Sequence, residues 1–429
     1  MHKAKTSDSR LKILISAYAC GPYSGSEPGV GWGFVEALAK RHDVWVITEQ
    51  KEFQQDISHH IEEHGELGNK TIFNFIPRDR TNFLEKLWPP AYYWTYRRWH
   101  QDAFVLAMRL HREIGFDLAH QLNMVGFREP GYLWKLGIPF VWGPIGGMGV
   151  LPWRFLPMLG GYGALYYLGY NLLNVIQMHF LRRPKMAAEA ADSGLIVMNQ
   201  ENQDGVRRYF SMASNILVPV GPPSRISERA RSRLADEPLR IIWSGLHIPR
   251  KALNLALWAL SLLPEHIEWE LHVLGGGGLT MKWQRYADRL GLGDKCVFYG
   301  QVTREEVLQV MENSHLHLFT SLREGTPTVI VEACSFALPT VCLDISGMKD
   351  MVDDTFGLKV KVTTPSRVAK DLAVCIMQLA ENEALRFKLA KGALLRVQEF
   401  SWGRKAEVVD RIYKERIRQA DLNLHKVRV

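Results

Sequence analysis

The sequence predicts an α/β chain of two domains, each built on a parallel sheet. Three observations carry this. With 429 residues the chain exceeds what one ordinary core holds and asks for two. Short runs rich in Val, Ile and Leu alternate with helical patterns, which is the rhythm of βαβ units. That rhythm breaks once, near residue 219, and then restarts.

Lys3, Lys5, Arg10 and Lys12 precede an apolar run at residues 13–20, a superficial likeness to a signal peptide. The run is short, and a turn-rich loop at 21–31 and an amphipathic helix at 32–40 follow it. Residues 13–17 are therefore expected to form a first buried strand, with a second at 44–48. Further strands are expected at 72–76, 118–120, 139–142 and 195–198, so that residues 1–218 make an N-terminal Rossmann-like domain. The Pro-rich stretch 218–223 and the charged residues up to Pro238 read as a hinge. Strands at 239–243, 271–274, 296–299, 316–320, 340–343 and 357–360 then predict a second Rossmann-like domain over 219–399, facing the first across an interdomain cleft.

Composition narrows the classes. Hydrophobic residues make up 47% and charged residues 23%, which excludes disordered, collagenous and repeat-dominated chains. The 53 basic and 45 acidic residues give a net charge of +8, an excess that favours phosphates or an anionic lipid surface over acidic partners. No dense Lys/Arg tract marks a nucleic-acid partner. Five cysteines, Cys20, Cys296, Cys334, Cys342 and Cys375, are odd in number and show no C-x-x-C spacing, as expected of reduced core thiols in a cytoplasmic protein.

Two segments depart from the pattern. Residues 87–99 are aromatic and end in Arg97, Arg98 and Trp99. Residues 155–181 contain no Asp, Glu, Lys or Arg, and Arg182 and Arg183 follow. The second segment is long enough to span a bilayer, but Pro157, Gly160, Gly161, Gly163, Asn171, Asn174, Gln177 and His179 interrupt it. The preferred expectation is an apolar insert, about 151–185, that packs partly on the N-terminal domain and partly touches a membrane or a lipid-linked ligand. Plain core helices and a transmembrane segment are the alternatives.

The chemistry concentrates at 320–334. A strand ends near Thr320, Glu324-Gly325-Thr326 form a loop, and Pro327 suits a first helical position because it lacks an amide hydrogen. In the apolar helix that follows, Glu332 is a costly carboxylate unless something pairs with it. Eight residues on a roughly helical path cover about 12 Å, on the scale of the span from ribose to sugar in a nucleotide sugar. The amides of Thr326, Thr328 and Val329 at the helix start make an anion site between the two glutamates. The plainer alternative pairs Glu332 with an arginine or lysine and has Glu324 cap the helix. Arg250 and Lys251, after the strand that ends before Gly245, can neutralise a diphosphate without a metal; the alternative is a solvated helix start. No D-x-D, H-E-x-x-H or cysteine–histidine cluster suggests metal ligation. The glycines of 21–31 and 275–278 let backbone approach a phosphate closely, or simply make flexible turns.

Assembled, these residues resemble the retaining GT-B glycosyltransferases of family 4, also called group 1 glycosyl transferases. The family signature of two glutamates separated by seven residues is met by Glu324 and Glu332. Gly245 and Lys251 look like its strand–glycine–lysine element, Val297-Phe298-Tyr299-Gly300-Gln301 and Pro339-Thr340-Val341 are similar to two further segments, and Phe400-Ser401-Trp402 looks like the start of its last helix. The resemblance implies that Glu324 contacts the donor sugar, Glu332 the ribose, Lys251 the diphosphate, and Tyr299 and Gly300 the base. Gly325, Thr326, Pro327 and Thr328 would line the donor, and Gly25 and Ser26 would face the diphosphate. It implies transfer with retention, usually without metal or other cofactor, and a final helix at 400–429 that returns to the N-terminal domain. The chain departs from the family at Leu246, where an arginine is common and Arg250 must substitute. It departs again at Trp142-Gly143-Pro144-Ile145-Gly146-Gly147, where many members place a histidine near the acceptor. Gly146 and Gly147 therefore stand on the acceptor side, and His120 is the stand-in, with a satisfied structural histidine as its alternative.

The expected function is a retaining sugar transferase using a nucleotide-sugar donor and a polysaccharide, lipid-linked oligosaccharide or glycolipid acceptor, cytoplasmic or peripheral on the inner face of the membrane. The alternatives are an epimerase or phosphorylase of the same fold and a non-catalytic scaffold. A nicotinamide dehydrogenase is a weak third rival: no full G-x-G-x-x-G follows the first strand with an acidic residue at the required spacing, although Glu49 sits nearby.

Overall fold

The computed structural model describes residues 10–78, 92–234 and 236–427, with side chains up to 423. The aromatic segment at 87–99 therefore lies outside the described residues as far as residue 91; from there the helix Tyr92–Ile114 takes over.

The described chain forms two compact units. The first carries a seven-stranded parallel sheet of β1 (Lys12–Ala17), β2 (Asp43–Glu49), β3 (Thr71–Ile76), β4 (Leu118–Asn123), β5 (Phe140–Ile145), β6 (Leu195–Val197) and β7 (Asn215–Ile216), in the order β3-β2-β1-β4-β5-β6-β7. Ile13 pairs with Val44 on one side and Leu118 on the other. The apolar runs of β1, β2, β4 and β5 are buried nearly throughout, as parallel strands covered on both faces must be. β7 is two residues long and carries no pattern that sequence reading detects.

The second unit carries a six-stranded parallel sheet of β8 (Leu239–Ser244), β9 (Trp269–Leu274), β10 (Cys296–Gly300), β11 (Leu316–Phe319), β12 (Thr340–Leu343) and β13 (Gly357–Val360), in the order β10-β9-β8-β11-β12-β13. The strand order reverses between β8 and β11, and ligands bind at such switch points in open α/β sheets. All five cysteines are free.

The units are not the domains of the sequence reading. Residues 149–176 cluster with the second unit, and 177–219 with the first. The expected insert at 151–185 is therefore corrected: Leu151, Phe155, Leu159 and Tyr167 join the core around Ala252, Leu253 and Trp283 rather than that of the N-terminal domain. The helix Trp402–Val427 belongs to the first unit. There Trp402 stacks edge-on with Phe34 at 5.3 Å, and Asp410 meets His42 at 3.1 Å. Among the described residues no helix is long and apolar enough to cross a membrane.

Candidate active site

The site is assembled at the carboxyl ends of β8 and β11. After β8, Pro249–Lys251 makes a single tight turn that Ala252 closes in the left-handed region, φ 49°. After β11 the chain runs alongside this turn, with the Leu322 amide donating to Arg250 O at 2.8 Å. The Thr320 hydroxyl donates to Ala252 O at 3.0 Å and accepts from Trp243 Nε1 at 3.1 Å. These bonds fix the two loops side by side and bring distant residues together.

Glu324 is the centre of the result. Its Oε1 receives Lys251 Nζ at 2.7 Å, Ser321 Oγ at 2.6 Å and the Arg250 guanidinium. Among the described residues no donor occupies Oε2. Burial pushes the Glu324 carboxyl up, yet Lys251 and Arg250 outweigh it and hold the group below the usual carboxylate range. For Lys251 burial dominates instead, and its ammonium stays below the ordinary lysine value despite Glu324. The asymmetry follows from two cations sharing one anion. The side chains of Glu324 and Lys251 are each 12% exposed, so the cluster is desolvated yet reachable. Two cations and one carboxylate leave it a net charge of +1.

Two glycines keep the loops this close. At Gly275, φ is +109° and a Cβ would lie 2.1 Å from Gly245 O; at Gly347 a Cβ would lie 1.8 Å from Gly325 O, beside the bond from Gly347 N to Glu324 O at 3.1 Å. Gly245 itself leaves room for the Lys251 stem, whose Cδ would be 3.5 Å from a Cβ there.

Glu332 lies apart from this cluster on the helix Thr328–Ser335, where it meets Arg304 Nη2 at 3.0 Å. Burial raises its carboxyl, and Arg304 offsets only part of that rise. The plainer expectation for Glu332, an arginine partner, is therefore what the chain shows. That for Glu324 is not, since no side chain caps this helix. Pro327 is its N-cap rather than its first residue, and the path from Glu324 to Glu332 is helical only from Thr328 on. Gly325, Thr326 and Thr328 are half-buried at this helix start. Tyr299 points its hydroxyl at His272 Nδ1, 2.9 Å away, while Gly300, at φ +71°, accepts the Gly275 amide at 2.8 Å.

The remaining residues sit on the first unit. Gly25 is the N-cap of the helix Ser26–Ala39, and Ser26 adopts φ 55°. Gly146 bridges to Gly126, and Gly147 has φ +88°. His120 is corrected. It is fully buried, with Nδ1 on the Tyr413 hydroxyl at 2.6 Å and Nε2 on Gly143 O at 2.7 Å, so no ring atom remains for an acceptor. It ties the C-terminal helix to the sheet. Replacing His120 by phenylalanine leaves the Tyr413 hydroxyl and the Gly143 carbonyl buried without partners, at ~1–3 kcal/mol each. Thermal unfolding should drop accordingly while turnover per folded molecule holds; intact stability with lost turnover would return His120 to the acceptor side.

Sequence reading missed Ser321, whose spacing of three from Glu324 was a usable signal, and Arg323, which donates to the Tyr170 hydroxyl at 3.0 Å and stacks on its ring at 4.2 Å. No local pattern announces that second pairing, which joins residues 153 positions apart.

Residues 189–395 match the family model described as glycosyl transferases group 1. The chain is 34% identical over 104 residues to the lipopolysaccharide 1,6-galactosyltransferase of Salmonella typhimurium, covering 24% of this chain and 28% of that protein. It thus spans only about a quarter of the length of the first curated relatives it matches. It is 24% identical to the N,N'-diacetylbacillosaminyl-diphospho-undecaprenol alpha-1,3-N-acetylgalactosaminyltransferase of Campylobacter jejuni, over 84% of this chain and 88% of that one. Among solved structures, the lipopolysaccharide outer core galactosyltransferase WaaB superposes with a TM-score of 0.60 at 16% identity, covering 96% of this chain and 99% of that one. The segment 189–395, just under half of the chain, thus matches the group 1 glycosyl transferases, and the chain has the GT-B fold.

Proposed function

We propose that the protein is a retaining glycosyltransferase that moves a sugar from a nucleotide-sugar donor to a glycan or lipid-linked acceptor, without a metal. The observation that supports this most is the net-positive cluster of Lys251, Arg250 and Glu324 at the switch point of the second sheet. Lys251 and Arg250 neutralise the donor diphosphate, as a metal does elsewhere. The first-turn amides of the helix Thr328–Ser335 supply further donors, with Gly325, Thr326, Pro327 and Thr328 lining the path. Glu324 is ionised and can only accept hydrogen bonds, so its Oε2 takes a hydroxyl of the donor sugar. Glu332 takes the ribose and exchanges its bond to Arg304 to do so. Gly245 lets the diphosphate approach, and backbone at Tyr299 and Gly300 takes the base. On the first unit, Gly25 and Ser26 start a helix whose amides suit an anion, and Gly146 and Gly147 stand on the acceptor side.

In the reaction the bond from the anomeric carbon to the phosphate oxygen breaks, and a bond to the acceptor oxygen forms on the same face. The acceptor proton passes to the departing phosphate oxygen. The names of the two curated relatives favour an acceptor on a lipid or lipopolysaccharide, and hence work at the cytoplasmic face of a membrane.

The test is a thermal-shift screen of the full chain against nucleoside diphosphates and nucleotide sugars, followed by transfer to a lipid-linked acceptor with and without chelator. A true donor at a hundredfold excess over its Kd should stabilise the fold by ~2.7 kcal/mol, and nucleoside diphosphate should be released only when acceptor is added. Conversion of the donor without acceptor points to an epimerase, and the absence of any shift removes the reading.

A further inference from the structure

The helix Gly160–Phe180 has its polarity reversed. Its inner edge carries Gly163, Tyr167, Asn171 and Asn174, all buried. Asn171 exchanges hydrogen bonds with both backbone groups of Leu151, at 3.0 and 2.8 Å, and Asn174 donates to Gly149 O at 2.9 Å. Its outer face is apolar, with Tyr162, Leu165, Tyr166, Leu172, Leu173 and Ile176 between 52% and 84% exposed. An amphipathic helix with its polar side in the protein and its apolar side outward is suited to a medium other than water.

A cavity of about 280 Å³ lies at the root of this helix, between the turn Trp153–Leu159 and the helix Thr280–Arg289. Met158, Leu159, Trp258 and Trp283 give it apolar walls, while Lys282, Tyr286 and Arg289, spaced to share one helix face, bring two cations. No acidic residue lines it, and among the described residues neither cation has a carboxylate within ion-pair distance, Arg289 lying instead over the Tyr286 ring at 5.6 Å. Lys282 reaches the first residue of the apolar helix, where a Cβ on Gly160 would lie 3.1 Å from its Nζ. Trp153 and Arg154 are exposed at the same end. Unpaired positive charge thus sits where the apolar face begins.

We propose that this cavity holds the phosphate-bearing head of an anionic membrane lipid, with Lys282 and Arg289 on the phosphate, and that the outer face of the helix lies in the bilayer interface. Interfacial docking, rather than spanning, agrees with a helix too weakly apolar to cross. The inner edge of the same helix touches the active-site loops: Gly163 faces Pro249, and the Tyr170 hydroxyl accepts from Arg323. Lipid docking therefore steadies the loops that hold Glu324. This inference rests on the membrane half of the proposed function and not on sugar transfer.

The experiment is sedimentation of the full chain with neutral phosphatidylcholine vesicles and with mixed phosphatidylcholine–phosphatidylglycerol vesicles. Strong binding to the mixed vesicles alone is expected, with a loss of about tenfold or more for the Lys282→Glu/Arg289→Glu double variant and a comparable loss for Leu172→Gln/Leu173→Gln/Ile176→Gln. Both variants should keep the wild-type melting temperature and the nucleotide-induced shift. Equal binding to both vesicle types, or undiminished binding by the charge-reversed variant, overturns the proposal. So does competition by glycerol phosphate together with indifference to the helix substitutions, which would mark a site for a soluble anion. Failure here with an intact nucleotide shift leaves sugar transfer standing, and loss of that shift in the wild-type chain concerns the transfer reading alone.

Discussion

Replacing Glu324 by alanine is expected to lower sugar transfer by ~10²–10⁴-fold. A tighter discrimination comes from Glu324→Gln, which keeps the volume and an acceptor oxygen for Ser321 Oγ but removes the charge. With it gone, the cluster of Lys251, Arg250 and residue 324 rises from +1 to +2. Binding of a nucleoside diphosphate should then hold or tighten while kcat collapses, because the lost interaction is with the sugar and not with the diphosphate. Lys251→Ala should do the reverse, weakening diphosphate binding first. If Glu324 served only to neutralise its neighbours, the glutamine variant would show a lowered melting temperature, restored by diphosphate, with turnover per folded molecule intact. Titration of the nucleotide beside single-turnover kinetics separates the two cases.

How much of this was legible in the sequence follows from the range of each interaction. Strand positions were readable because a parallel strand buried on both faces leaves a continuous apolar run, as in β1 and β12, and that signal is local. Glu332 was visible as an acid stranded in an apolar helix. The pairing of Arg250 with Glu324 was not, since it joins residues 74 positions apart and depends on β8 and β11 being neighbours at the switch point. Arg250 and Lys251 therefore looked like free cations when in fact they share a carboxylate. The insert misled for a related reason. Periodicity in 155–181 shows that a helix has two faces, but not which core takes Phe155 and Leu159, nor that Asn171 and Asn174 are the buried side. His120 closes a strand beside candidate loops, and only the return of Tyr413 from the C-terminal helix reveals that both its nitrogens are spent.

Acidification is expected to unfold this protein well above the range in which carboxylates titrate. His100, His120 and His317 are at most 1% exposed, and burial lowers them to about 3, about 4 and about 3. None is offered a carboxylate that would favour the charged ring. His100 packs on Tyr96 and Trp99 with Arg183 repelling its proton, His120 holds Tyr413 and Gly143, and His317 meets the Thr340 hydroxyl at 3.2 Å with Lys251 repelling its proton. Above the ordinary histidine value near 6.5 both folded and unfolded chains carry neutral rings, and stability is at its full value. Below it the unfolded chain binds protons that the folded chain refuses, so stability falls as pH drops, by ~1.4 kcal/mol per pH unit for each ring. Three such rings give at most ~4 kcal/mol per unit, and a descent from pH 7.5 to 5 removes ~6 kcal/mol, comparable to the whole stability of an ordinary domain. Urea unfolding between pH 7.5 and 5 should show that slope, and exchanging any one of the three for a non-titrating ring should remove one proton's share of it. A flat profile over this interval would mean that the rings are charged in the folded chain, against the burial of all three and the cations beside His100 and His317.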